Sequence, residues 1–183
     1  MTLSLLDFRN EVAVIAKATE HPDVSFIPFS QEELVFILAP VHPLAAKKTV
    51  TIKALASEPI IMKETGSGTR KLVDTLFEER GVSPSILVET SNTEFIKQLV
   101  QRGDGVSFVV REAVASELHE GKLATIPIQG KRIYLDVGIA YLKNQRLSPP
   151  AQAFLEILSK MTPQGRKDYG IRAIMSRMLD QWK

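Results

Sequence analysis

Thr65-Gly66-Ser67-Gly68-Thr69-Arg70 is the stretch that decides how this chain of 183 residues is interpreted. It follows a short apolar run, Pro59-Ile60-Ile61-Met62, and precedes a helical pattern that begins near Leu72. This order predicts a strand, a glycine-containing loop and the N-terminus of a helix. A strand followed closely by a helix is the repeating unit of α/β folds.

The same loop is a candidate anion site. A helix N-terminus carries N–H groups without an intrahelical partner and the positive end of the helix dipole. Glycine allows close approach to the backbone, and hydroxyl side chains add hydrogen-bonding groups. We therefore predict that a small anion binds at Thr65, Gly66, Ser67, Gly68 and Thr69. A structural turn with a Ser or Thr N-cap is the alternative, because such turns are common in α/β folds.

Short strands alternate with helices on both sides of this loop. We predict strands at 12–15, 34–38, 60–62, 86–88, 106–110, 123–126 and 133–142, helices at 68–80 and 111–119, and a helix that Ser148-Pro149-Pro150 opens. A further helix is capped by Asn92 or Ser91 and ends at Gly103. The uniformly apolar run at 12–15 is interpreted as a buried parallel strand. The alternation predicts an α/β fold with a parallel or mixed sheet.

A second polar loop follows the strand at 86–88. Ser91 and Asn92 lie between this strand and the next helix. Ligands of open α/β sheets bind beyond the carboxyl ends of the strands, where both polar loops are expected to lie. We therefore add Ser91 and Asn92 to the predicted ligand-binding residues.

Composition restricts the class of protein. The hydrophobic fraction of 44% and the charged fraction of 24% are typical of a soluble globular protein. A net charge of +2 is too small to indicate nucleic-acid binding. The chain has no apolar run of about 18 residues, and charges interrupt residues 1–20, so neither a transmembrane helix nor a signal peptide is predicted. We expect a cytoplasmic protein without membrane association.

The sequence offers no catalytic set. It contains no cysteine, and its three histidines, His21, His42 and His119, lack metal-ligand spacing. Gly66-Ser67-Gly68 does not have the spacing of a nucleophile elbow, and no Walker loop is present. We interpret the histidines as structural or solvated, and predict no enzyme activity, no metal and no cofactor.

Residues 162–183 form a separate pattern. Ile171, Met175, Met178 and Trp182 recur at helical spacing and predict an amphipathic helix. Such a helix either packs on its own domain or serves in self-association or partner binding.

Several segments, taken in order, resemble the effector-binding domain of LysR-type transcriptional regulators over about residues 5–160. The similar segments are Asp7-Phe8-Arg9-Asn10-Glu11-Val12-Ala13-Val14, Pro40-Val41-His42-Pro43-Leu44-Ala45, Gly66-Ser67-Gly68-Thr69-Arg70, Leu99-Val100-Gln101-Arg102-Gly103-Asp104-Gly105-Val106 and Ser148-Pro149-Pro150-Ala151-Gln152-Ala153-Phe154-Leu155.

The resemblance implies a type 2 periplasmic-binding-protein-like α/β fold, with one complete lobe and a partial second lobe. The complete lobe, which binds the ligand, is expected at 23–140 and has a mixed sheet flanked by helices. Residues 1–22 would be a remnant of the other lobe, and 141–161 the return strand and helix to it. The resemblance also implies N-terminal truncation, without the winged helix-turn-helix and half of the first lobe.

The function implied by this resemblance is a ligand-sensing regulatory domain. It would bind a small anionic metabolite or oxyanion to modulate transcription, without direct DNA binding by this chain. Apolar surface at 12–15 and 154–158, left without the missing half-lobe, predicts a homodimer or larger oligomer. The alternative is a solute-binding protein of the same fold, or an enzyme on it; the missing signal peptide disfavours the first, and the missing catalytic set the second.

Overall fold

The computed structural model describes residues 2–17 and 21–161, so the amphipathic helix predicted at 162–183 lies outside the described residues. In chain order the elements are α1 Thr2–Leu6, β1 Val12–Ala16, β2 Val24–Leu38, a 3₁₀ helix Pro43–Ala46, α2 Ile52–Leu55, β3 Pro59–Met62, α3 Gly68–Glu78, β4 Ser85–Glu89, α4 Thr93–Arg102, β5 Val106–Val110, a 3₁₀ helix Arg111–Val114, α5 Ala115–His119, β6 Ala124–Thr125, β7 Ile133–Leu142 and α6 Pro149–Met161.

The chain divides into two compact units. Glu33–Tyr134 forms one unit, here called the central unit, and the segments on either side of it form the other, here called the terminal unit. The long strands β2 and β7 each contain one of the two division points. The predicted division into 1–22, 23–140, 141–161 and 162–183 stays a prediction.

In the terminal unit, β1 pairs antiparallel with β7, with Val12 opposite Tyr141 and Ile15 opposite Gly138. The prediction of a buried parallel strand is therefore wrong in direction. Val14 is 39% exposed, and β1 lies at the end of the strand order. A run of four apolar residues gives no alternation from which to recognise a half-exposed edge strand.

Helix α6 packs one face in the core of the terminal unit. Its residues Leu158 and Met161 pack with Phe29 and Ile139. The start of the helix is fixed by Glu11, which accepts hydrogen bonds from the Ser148 amide and hydroxyl, both at 2.7 Å. The Ser148 hydroxyl bond, followed by the amide bond, lowers the pKa of Glu11. These contacts connect the start of β1 to the start of α6.

Strand β2 is longer than the sequence predicts. The predicted strand covers 34–38, whereas the observed strand is Val24–Leu38. Pro28 and a polar stretch at 30–33 hide the first part of the strand from a search for apolar runs. Gln31 nevertheless belongs to a paired surface, since its Nε2 donates to Asp136 Oδ1 at 2.8 Å.

The central unit has a mixed sheet in the order β2-β5-β3-β4, with β6 paired to β2. Strand β3 runs parallel to both β4 and β5, and β2 runs antiparallel to β5 and β6. This confirms the predicted α/β class with a mixed sheet flanked by helices. The β3–β4 pair also brings the carboxyl ends of two strands to the same edge.

Helices cover both faces of this sheet. On one face, Val73 and Phe77 of α3 pack with Phe36 and Phe108, whose ring centroids are 5.3 Å apart in an edge-on arrangement. On the other face, a second cluster joins α4 to the sheet through Ile96, Val100, Val35 and Ile37. Packing on both faces holds the N-termini of α3 and α4 beside the carboxyl edge of the sheet.

Candidate anion-binding site

The first candidate loop is a tight turn that leads directly into α3. The Ser67 amide donates to the Glu64 carbonyl at 3.1 Å, and Gly66 has a φ of +90°. A positive φ at the third residue is typical of a type II turn, and glycine adopts it without strain. Ser67 follows in extended conformation as the N-cap of α3.

The N-terminus of α3 lacks an internal acceptor. The Ser67 hydroxyl makes no capping hydrogen bond, and the first turn contains no acidic residue. Within residues 2–17 and 21–161, no hydrogen bond engages the amide of Gly68 or Thr69. These two donors therefore remain available at the positive end of the helix dipole, an arrangement that favours an anion.

Burial differs along this loop. Thr65 and Gly66 are exposed, Ser67 and Gly68 are half-buried, and Thr69 is buried. The Thr65 hydroxyl lies 3.5 Å from Glu89 Oε2, at the outer limit of a hydrogen bond. The loop therefore changes from a solvent-facing turn to buried backbone within five residues.

Arg70, in the first turn of α3, does not supply an unpaired charge to the site. Its Nε lies 2.8 Å from Asp74 Oδ2, and its Nη1 lies 2.7 Å from Glu89 Oε1. Nη1 also donates to the Lys63 carbonyl at 3.2 Å. The hydrogen bond to Glu89 is the largest cause of the raised pKa of Arg70. Arg70 thus connects α3 to β4 and to the end of β3.

The second candidate loop lies beside the first. Met62 pairs with Glu89 at the ends of the parallel strands β3 and β4, and the Thr90 amide donates to the Met62 carbonyl at 3.0 Å. Ser91 and Asn92 follow immediately, so the structure places both predicted loops at one edge of the central unit.

The N-terminus of α4 already has acceptors of its own. Asn92 is the N-cap, and its Oδ1 accepts from the Phe95 amide at 3.1 Å. The Asn92 amide donates to Thr90 Oγ1 at 3.2 Å, and Glu94 lies in the first turn of the helix. Ser91 and Asn92 are exposed. The two helix N-termini therefore differ: α3 is uncapped, whereas α4 is capped.

Lys63 joins the two loops, a contact that the sequence does not reveal. Its Nζ donates to the Ser91 carbonyl at 2.7 Å and to Thr93 Oγ1 at 2.6 Å. Burial lowers the pKa of Lys63, and the neighbouring Glu64 charge opposes that shift. In the sequence, Lys63-Glu64 resembles an ordinary exposed charge pair, and its partners lie 28 and 30 residues away.

The described residues include no group of three or more histidine, cysteine, aspartate or glutamate side chains that could hold a metal ion. His42 has a local structural role, since its Nδ1 accepts from the Leu44 amide at 3.2 Å. Among these residues there is also no helix with the length and apolar character needed to cross a membrane.

The fold is the type 2 periplasmic-binding-protein-like α/β class. The LysR substrate binding domain family matches residues 3–162, and the chain belongs to this family. It is similar to the HTH-type transcriptional activator CmpR of Synechocystis sp., with 34% identity over 81% of this chain and 49% of that protein. A RuBisCO operon transcriptional regulator of Allochromatium vinosum is 35% identical over 71% of this chain and 43% of that protein. The chain thus spans about half the length of these curated relatives.

Solved structures agree with this assignment. The regulatory domain of Synechocystis PCC6803 CcmR in complex with 2-PG matches with a TM-score of 0.78 and 31% identity, over 89% of this chain and 78% of that one. The effector binding domain of QuiR in complex with shikimate matches with a TM-score of 0.78 and 25% identity, over 88% of this chain and 76% of that one. The chain is therefore a LysR-type regulatory domain of the class that binds small-molecule effectors.

Proposed function

We propose that this chain binds a small anionic effector at the loops after β3 and β4, and that binding modulates transcription by a LysR-type regulator. The uncapped N-terminus of α3 carries the proposal: the amides of Gly68 and Thr69 and the hydroxyl of Ser67 have no acceptor within the described protein. A bound anion would accept from these donors and complement the helix dipole. The proposed ligand-binding residues are Thr65, Gly66, Ser67, Gly68, Thr69, Ser91 and Asn92.

The ligands of similar domains support an anion. The CcmR regulatory domain is in complex with 2-PG (2-phosphoglycolate), and the QuiR domain is in complex with shikimate. Both ligands carry a carboxylate, and the first also carries a phosphoryl group. The curated relatives are transcriptional regulators, which supports a sensing role without catalysis for this chain.

The proposed function implies which molecules the chain contacts and where in the cell it acts. The chain would contact the effector and other copies of itself, whereas DNA would be contacted by a different region of the regulator. A domain that adjusts transcription acts where the DNA is, so we place it in the bacterial cytoplasm.

Calorimetric titration with 2-phosphoglycolate and with sulfate tests this function. Replacing Ser67 by Ala removes a hydroxyl donor from a charged ligand and should weaken binding by about tenfold. Ser85→Ala is the matched control, because Ser85 is an exposed serine at the start of β4, the end away from the loop. The control should bind like the unmodified chain. Equal affinity in all three proteins, or no binding of either anion to the unmodified chain, would contradict the proposal.

A further inference from the structure

Lys63 is a half-buried cation that only neutral oxygens hold. Its ammonium group contacts the Ser91 carbonyl and the Thr93 hydroxyl, at 2.7 and 2.6 Å. Within residues 2–17 and 21–161, no carboxylate lies within ion-pair distance of it. An ammonium group has three N–H donors, so one remains after these two contacts.

Two other cations of the central unit, the half-buried Arg70 and the buried Lys97, are neutralised. Arg70 lies against Asp74 and Glu89, at 2.8 and 2.7 Å. Lys97 lies against Glu94 and Glu117, at 2.6 and 2.7 Å. Buried charges are normally paired, so the absence of a carboxylate at Lys63 is a local exception.

The backbone near Lys63 adds the partial positive charges of helix N-termini. Lys63 follows β3, and its side chain reaches the first residue of α4, Thr93. The loop after Lys63 ends at the uncapped N-terminus of α3. The positive ends of two helix dipoles therefore lie at the same edge as the ammonium group; Glu94 offsets that of α4, whereas the first turn of α3 contains no acidic residue. Glu64 is adjacent in sequence but exposed to solvent, where its charge is screened.

We propose that Lys63 supplies the counter-charge that makes this site select phosphoryl or other doubly charged effectors over singly charged carboxylates. The inference rests on the proposed function, since it assigns a role within the same site. The amides of α3 carry only partial charges, so they would bind a singly charged or a doubly charged anion. A full positive charge held in a partly buried position would instead favour the ligand that carries the additional negative charge.

A ligand pair that differs by the phosphoryl group separates charge selection from binding in general. Titrating with 2-phosphoglycolate and with glycolate compares a phosphorylated anion with its unphosphorylated counterpart. We expect Lys63→Gln to weaken 2-phosphoglycolate binding by about tenfold or more and glycolate binding by less than about threefold. Lys63→Arg keeps the charge and should retain most of the preference. Lys53→Gln, on the exposed surface of α2, is the control and should change neither affinity.

A merely structural role for Lys63 predicts a different pattern. If the lysine serves only to hold the two loops together, Lys63→Gln should weaken both ligands by the same factor, and this result would overturn the inference. A preference for 2-phosphoglycolate that survives Lys63→Gln would overturn it as well, while leaving the proposed function intact. Failure of the unmodified chain to bind either anion would overturn the proposed function and this inference together.

Discussion

At the scale of single residues, the candidate site depends on backbone groups that side chains hold in place. The Gly68 and Thr69 amides are the proposed donors, and Arg70 fixes their helix to β4 through Glu89. Arg70 therefore has a structural role. Because Asp74 and Glu89 neutralise Arg70, the arginine positions α3 without adding its charge to the proposed site.

Gly66→Ala should destabilise the protein by about 1–2 kcal/mol, because the alanine Cβ would crowd the backbone at a φ of +90°. It should also weaken anion binding, because the turn orients Ser67. Urea unfolding and calorimetry measure the two effects. Gly130→Ala is the control: Gly130 also has a positive φ, +75°, but lies in the segment between β6 and β7. Gly130→Ala should lower stability by a comparable amount and leave the affinity for the anion unchanged. An equal loss of affinity in Gly66→Ala and Gly130→Ala would contradict the assignment of the turn to the site.

The sequence predicts the backbone of this site better than its charges. A strand, two glycines and a following helix are local features, so the turn and the N-terminal donors of α3 could be inferred. The partners of Lys63 and Arg70 could not. Lys63 Nζ meets Ser91 across 28 residues, and Arg70 meets Glu89 across 19. Which of several carboxylates neutralises a cation depends on the pairing of β3 and β4, and a single sequence does not specify that pairing.

At the scale of elements, the longer helices and most strands follow from the sequence, whereas the pairing direction of β1 and the full length of β2 do not. The predicted strand at 106–110 is β5, which is buried over most of its length. Helix α4 begins after Asn92 and ends at Gly103, which has a φ of +82°. By contrast, the local apolar pattern predicts the wrong pairing direction for β1 and no strand for the first part of β2. Exposure and tertiary pairing override that pattern in both places.

The contact between α4 and α5 should govern part of the stability at acid pH. A hydrogen bond from Lys97, at 2.7 Å, is the largest cause of the lowered pKa of Glu117. Because the folded-state pKa is below the unfolded one, the stabilisation is complete above the unfolded value of about 4.3 and is lost as pH falls through the folded pKa.

Glu117→Gln should therefore remove part of the acid dependence of unfolding. Urea denaturation between pH 7 and pH 3 should show a shallower fall in stability for this variant than for the unmodified chain. Glu112→Gln, in the preceding 3₁₀ helix, is the control and should keep the original slope. Identical slopes in all three proteins would contradict a role for the Lys97–Glu117 pair.

At the scale of the whole molecule, the candidate residues all lie in the central unit, Glu33–Tyr134. The terminal unit instead presents apolar surface: Phe154 is 48% exposed and Ile157 is 53% exposed on α6, and Val14 is exposed on β1. Leu158 and Ile15 are buried, so only part of the apolar surface predicted at 12–15 and 154–158 faces solvent. We therefore expect ligand binding in the central unit and self-association through the terminal unit.

We expect the chain to form a homodimer or larger oligomer through this surface of the terminal unit. Replacing Phe154 and Ile157 by Glu places charges on the exposed face of α6 and should lower the molecular mass measured by light scattering. Val41→Glu is the control, because Val41 is 92% exposed and lies in the central unit. It should leave the mass unchanged. A monomer at every concentration of the unmodified chain would contradict the prediction.

A crystal structure of the chain grown with 2-phosphoglycolate tests the central claim most directly. We predict density for the anion with its oxygens about 2.7–3.2 Å from the amide nitrogens of Gly68 and Thr69, the range of N–H···O hydrogen bonds. Density for the ligand at another position, with the N-terminus of α3 still without an anion at saturating concentration, would contradict the account.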